Sequence, residues 1–97
     1  VEGRAGGGQP GEFRLEQNYP NPFNPSTTIE FRIQNSEPIN LQVYDILGRQ
    51  VAVLVNEVKG PGTYRVSFDG TRVSSGVYYC RMTSGRYAQT RKMLYIR

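Results

Sequence analysis

With 97 residues, 37% of them hydrophobic, the chain suffices for one small domain and not two. It has no His and one Cys, which removes the usual general base, the Ser-His-Asp and Cys-His arrangements, the commonest zinc ligand and any internal disulfide. The net charge is +4, and the longest apolar run, Val51 to Val55, is too short for a membrane-spanning helix.

The opening Val1-Glu2-Gly3-Arg4 carries no charged-then-apolar leader pattern, so the chain is expected to be a piece of a longer protein. Residues 1–12 hold five Gly and one Pro and almost nothing apolar, the composition of a flexible Gly-rich linker. The composition changes at Phe13, and residues 13–97 are expected to form the domain proper, with Phe13 and Leu15 in a short first strand. Asn18-Tyr19-Pro20-Asn21-Pro22-Phe23-Asn24-Pro25-Ser26 follows. Its three prolines fix three φ angles and remove three N–H donors, which predicts a rigid, extended connector with turns at the Asn-Pro steps.

The chain then alternates. Thr27 to Ile33 puts Ile29, Phe31 and Ile33 on one face, and Ile39 to Asp45 does the same with Ile39, Leu41 and Val43. Between them Asn35 to Pro38 reads as a turn. Leu47-Gly48-Arg49 reverses the chain, Gly48 being suited to positive φ. Arg49 to Val55 predicts a strand with Val51, Val53 and Val55 on one face. A Gly-Pro-Gly loop then leads to Thr63–Asp69, which offers Tyr64, Val66 and Phe68. Val77 to Thr83 places Tyr78, Cys80 and Met82 together, and Ser84-Gly85 turns the chain into a last strand within Tyr87–Arg97. About seven short strands, with turn signals roughly every 8–12 residues and no sustained helical period, predict an all-β, antiparallel immunoglobulin-like β-sandwich.

From Arg81 onward there are five basic residues (Arg81, Arg86, Arg91, Lys92, Arg97) and no acidic one. They read either as a patch for an anionic partner or as solvent-facing charge that keeps a hairpin from pairing edge to edge. Nucleic acid is the weaker partner, because no stacking platform or Gly-aromatic signature accompanies the charge.

Four segments carry a resemblance. Asn18 to Ile29, Leu41 to Val51, Ser75 to Met82 and Lys92 to Arg97, in that order, are similar to the four signatures of type A C-terminal sorting domains of the type IX secretion system. Four motifs in register make the likeness specific, and it covers Leu15 to Arg97. The immunoglobulin-like module of flagellar hook-capping proteins is similar in its Pro-Asn-Pro-Phe-Asn-Pro opening and Ser-Gly-Val-Tyr motif. The terminal Lys92–Arg97 favours the sorting domain. Cys80 stands where an aromatic or aliphatic residue is more usual and reads as a small core side chain.

The resemblance implies a non-catalytic domain that directs an attached N-terminal cargo protein across the outer membrane. It implies passage through the periplasm and recognition by the type IX translocon and its outer-membrane shuttle protein. Cleavage by a sortase-like cysteine protease follows, with cargo released or joined to anionic lipopolysaccharide at the cell surface. No cofactor or metal is implied. The recognition residues it implies are Tyr19, Pro20, Asn21, Pro22, Phe23, Asn24, Pro25, Gly48, Arg49, Gly76, Tyr78, Lys92 and Arg97.

The residues themselves leave several choices open. Tyr19 and Phe23 either present an aromatic anchor or plug one end of the sandwich. Gly48 and Gly76 read as backbone requirements. Arg49 and Lys92 either pair with Asp45 or Asp69 or face a receptor. The last strand, Arg91 to Arg97, either lies at a sheet edge open to strand addition or is spent on ordinary pairing. The alternative function is a structural or cell-attachment module, scaffold or carbohydrate-binding, with Tyr44, Tyr79 and Tyr95 as candidate sugar-stacking faces.

Overall fold

The computed structural model describes residues 13–97, so the linker expected over residues 1–12 lies outside the described residues. Seven strands run in order: β1 (Arg14–Leu15), β2 (Ser26–Ile33), β3 (Glu37–Asp45), β4 (Gln50–Lys59), β5 (Gly62–Asp69), β6 (Gly76–Ser84) and β7 (Tyr87–Tyr95). One sheet has the order β1-β2-β5 and the other β4-β3-β6-β7, with every strand pairing antiparallel. The chain crosses between sheets after β2, β4 and β5. The result is the expected immunoglobulin-like sandwich.

Alternation builds the core. Ile29, Phe31 and Ile33 of β2, Ile39, Leu41 and Val43 of β3, and Tyr78, Cys80 and Met82 of β6 are all buried, while their strand neighbours face outward or lie part-buried. These side chains fill the gap between the two sheets, where each sheet loses its water-facing apolar side. Burial pushes the Cys80 thiol up to about 12, so it stays protonated and inert at neutral pH.

β4 departs from the simple alternation. Leu41 pairs with Val55 and Gln42 with Val53, which leaves Leu54 as an extra residue. Val43 pairs with Ala52 and Tyr44 with Gln50, which leaves Val51 as a second. Each bulge changes which side the following residues face. Val53, expected on the same face as Val55, is therefore 47% exposed where Val55 is buried, while Val51, Ala52 and Leu54 lie part-buried against the core. β4 also continues to Lys59 beyond the expected end at Val55, narrowing the following loop to Gly60-Pro61. Pro38, expected in a turn, sits inside β3. It is tolerated because β6 pairs with β3 only from Asn40 onward, so its missing N–H faces no β6 partner.

Candidate functional site

Register brings distant segments to one end of the sandwich. Ser26, where β2 begins, lies opposite Asp69, where β5 ends. Gly76 at the start of β6 lies opposite Tyr95, and Tyr78 lies opposite Asp45 at the end of β3. The Pro-rich connector, the β3–β4 turn, the start of β6 and the chain's last residues therefore meet at this end.

The connector bends back on itself instead of running extended. Tyr19 and Thr28 exchange two backbone hydrogen bonds of 2.9 Å, so the chain reverses between them. Buried Asn18 and Thr27 close the loop from inside: both donate to the Pro20 carbonyl, at 3.1 and 2.8 Å, and Asn18 also donates to Thr27 Oγ1 at 3.0 Å. The peptide bonds before Pro20, Pro22 and Pro25 are cis. Phe23 N–H donates to the Leu94 carbonyl and Ile96 N–H to the Phe23 carbonyl. The Phe23 ring stacks on Tyr95 at 5.0 Å and meets Phe68 edge-on at 5.9 Å. The two connector aromatics thus divide: Phe23 plugs the end of the core, and Tyr19 is 81% exposed. Pro20, Asn21, Pro22, Asn24 and Pro25 are exposed, with Asn21 Oδ1 accepting Leu94 N–H at 3.0 Å.

The β3–β4 turn is held by one carboxylate. Asp45 accepts the backbone N–H groups of Leu47 and Arg49 at 2.9 and 3.0 Å and Arg49 Nε at 2.8 Å. The Arg49 backbone N–H, aided by the Arg49 side chain and the Leu47 N–H, holds its carboxyl below the ordinary 3.8 despite some opposing desolvation. Gly48 takes φ +83°, a left-handed conformation that glycine adopts without steric cost. Of the partners open to Arg49, Asp45 is the one used. Asp69 caps its own loop by accepting Thr71 N–H at 2.9 Å, and Lys92 is exposed on β7.

Facing this turn, Gly76 takes φ +149° and buried Tyr78 donates its hydroxyl to the Ser74 carbonyl at 2.6 Å. A cleft of about 290 Å³ separates the two segments, lined among others by Ile46, Leu47, Arg49, Gly76 and Val77. Arg97 closes the same region. Its guanidinium lies 5.9 Å over the Tyr95 ring and donates to the Val73 carbonyl at 3.0 Å, while its backbone N–H reaches Ser75 Oγ at 3.3 Å.

One reading needs correction, and others that the sequence left open are narrowed. Tyr95, offered as an exposed stacking face, is 2% exposed, because it shares the inward phase of Met93 on β7. Phe23 and Tyr78 are too deep to touch a partner, so in the folded domain they hold this end together. β7 is an edge strand, but its outer edge is already occupied: Gln17 donates to the Lys92 carbonyl and the connector supplies partners at Leu94 and Ile96. The basic residues also disperse. Arg91 donates to the Leu15 carbonyl at 2.7 Å, Arg97 binds the β5–β6 loop and Arg86 is exposed in the β6–β7 turn, which leaves Arg81 and Lys92 on the outer sheet face.

Asn18 and Gly70 matter to this geometry more than their residue types announce. Buried Gly70 donates to the Pro25 carbonyl at 2.7 Å, and a Cβ there would lie 3.0 Å from the Tyr95 ring and 3.2 Å from the Pro25 oxygen. Tyr95 is pinned by Phe23 and cannot give way. Gly70→Ala is expected to cost about 1–3 kcal/mol of stability, read as a lowered urea midpoint with unchanged slope.

Comparison with curated proteins finds no match. Residues 17–96, most of the chain and all of the four convergent segments except Arg97, match the secretion system C-terminal sorting domain. The chain belongs to that family, the domains that direct an attached cargo protein out of the cell through the type IX secretion system.

Proposed function

We propose that the export machinery reads this domain in its folded form, at the end where the four signatures meet. Cargo and domain cross to the periplasm together, and the type IX translocon and its outer-membrane shuttle protein engage the domain there. A sortase-like cysteine protease then cuts on the N-terminal side of the domain, and cargo is released or joined to anionic lipopolysaccharide. The domain acts by being recognised and carries out no chemistry of its own. The observation behind this reading is convergence: segments from Asn18 to Arg97, scattered along the chain, share one surface only after folding. A linear tag needs no such assembly.

The test is a fusion of the full chain to a periplasmic reporter in a host that has the secretion system. The reporter is expected in the medium or on the cell surface, freed of the domain. A reporter that stays in the periplasm with the folded domain attached overturns the reading.

A further inference from the structure

The signature segments divide by strand phase. On β6, Tyr78 and Cys80 point into the core, and Val77 and Tyr79 point out. On β7, Met93 and Tyr95 point in, and Lys92 and Leu94 point out. The inward residues are explained by packing. Packing against the other sheet does not account for the outward ones, which gather apolar side chains on a solvent-facing surface.

Pairing sets these outward residues side by side. Tyr44, Tyr79 and Lys92 form one row across β3, β6 and β7, and Val77 lies opposite Leu94 in the next. The exposed turn residues Ile46 and Leu47, at 67% and 73%, share the cleft with Val77 and so extend the apolar surface past the sheet end. Leu94 is 36% and Tyr79 37% exposed. The outward-facing rows Gln42–Arg81–Thr90, Tyr44–Tyr79–Lys92 and Val77–Leu94 contain no acidic residue, while Arg81 and Lys92 stand beside the tyrosines. The acid nearest the patch, Asp45, is engaged by Arg49 and the Leu47 N–H.

We propose that this outer face, centred on Leu47, Val77, Tyr79 and Leu94 and edged by Arg81 and Lys92, is the docking surface for a protein partner whose contact area is apolar at its centre and acidic at its rim. Charge complementarity selects that partner, and an apolar centre with aromatic anchors is how protein interfaces obtain affinity. The proposal rests on the sorting reading above and names the surface through which it acts.

The test compares full-chain reporter fusions in the same host. Leu47→Glu and Leu94→Glu each place an unmatched charge in the contact. They are expected to cut export by at least about tenfold, the factor set by 1.4 kcal/mol of lost affinity. Both purified domains should keep the parent's cooperative melt. Val58→Glu, at a 67% exposed residue near the other end of the sheet, is expected to export normally. Lys92→Glu should weaken export less than Leu94→Glu.

Normal export of both leucine variants overturns the surface while leaving the sorting reading intact. Loss caused by Lys92→Glu and Arg81→Glu but not by the leucine variants points to an anionic glycan or lipid and overturns the protein partner. A parent dimer in sedimentation that Leu94→Glu dissociates makes the face a self-interface and also overturns it. Failure of the unaltered fusion to leave the cell sinks both readings together.

Discussion

Deletion of Lys92–Arg97 is expected to unfold the domain, not merely to silence it. The six residues include Met93 and Tyr95, which are 0% and 2% exposed. They also supply four of the pairs that hold β7 to β6, from Tyr79–Lys92 to Gly76–Tyr95. The Phe23 ring loses the Tyr95 face it stacks on, and the connector loses its backbone partners at Leu94 and Ile96. Truncating one buried Met costs about 2–5 kcal/mol and one large aromatic about 3–5 kcal/mol. Together these reach the about 5–15 kcal/mol that a whole small domain has available, and this domain is near the small end. The deleted protein should show no cooperative thermal transition, and Cys80, silent toward thiol reagents in the intact domain, should react at the rate of an unfolded thiol. A truncated domain that melts within a few degrees of the parent with Cys80 still protected would show that the terminal segment is dispensable for folding. It follows that failed export of such a deletion does not by itself locate a signal. The outward substitutions at Leu47 and Leu94 separate recognition from folding.

What was legible from the residues follows from what period two can encode. β2, β3 and β6 carry an unbroken inward series, and their facing was predictable because nothing interrupts the pleat. β4 was readable as a strand but not in its facing. Its five consecutive apolar residues suit either side equally, and the bulges at Leu54 and Val51 are set by pairing with β3, which local sequence does not report. Tyr95 repeats the case: Met93-Leu94-Tyr95-Ile96 is apolar at every position, so period two does not say which face of β7 turns inward. The prolines announced a constrained connector, but its path depends on Asn18, Thr27 and the Leu94 carbonyl, partners reached only after the strands assemble. Gly70 carries its reason in a ring 25 positions away, which no window of the chain around it contains.

Phe31→Ala is expected to remove most of the domain's stability through a single site. Phe31 is 0% exposed in the middle of β2, with Leu15 of β1 and Tyr64 of β5 as its cross-strand neighbours. Its ring stacks on that of Tyr64 at 5.3 Å. β2 is the central strand of the three-stranded sheet, so the cavity opens where both neighbours converge. Neither can collapse into it easily: β1 is held by Gln89 and Arg91 of β7, and Tyr64 is tied by its hydroxyl to the Gly60 carbonyl. A cavity that cannot relax puts the cost at the upper part of the about 3–5 kcal/mol range for such truncations. Val53→Ala offers the contrast, because the bulge has already turned that side chain outward, and its cost should stay within about 0.5 kcal/mol. Urea denaturation of the two variants against the parent decides the matter. If Val53→Ala costs as much as Phe31→Ala, the bulged facing of β4 is wrong and Val53 lies in the core. If Phe31→Ala costs under about 1 kcal/mol, the two sheets are not packed through β2.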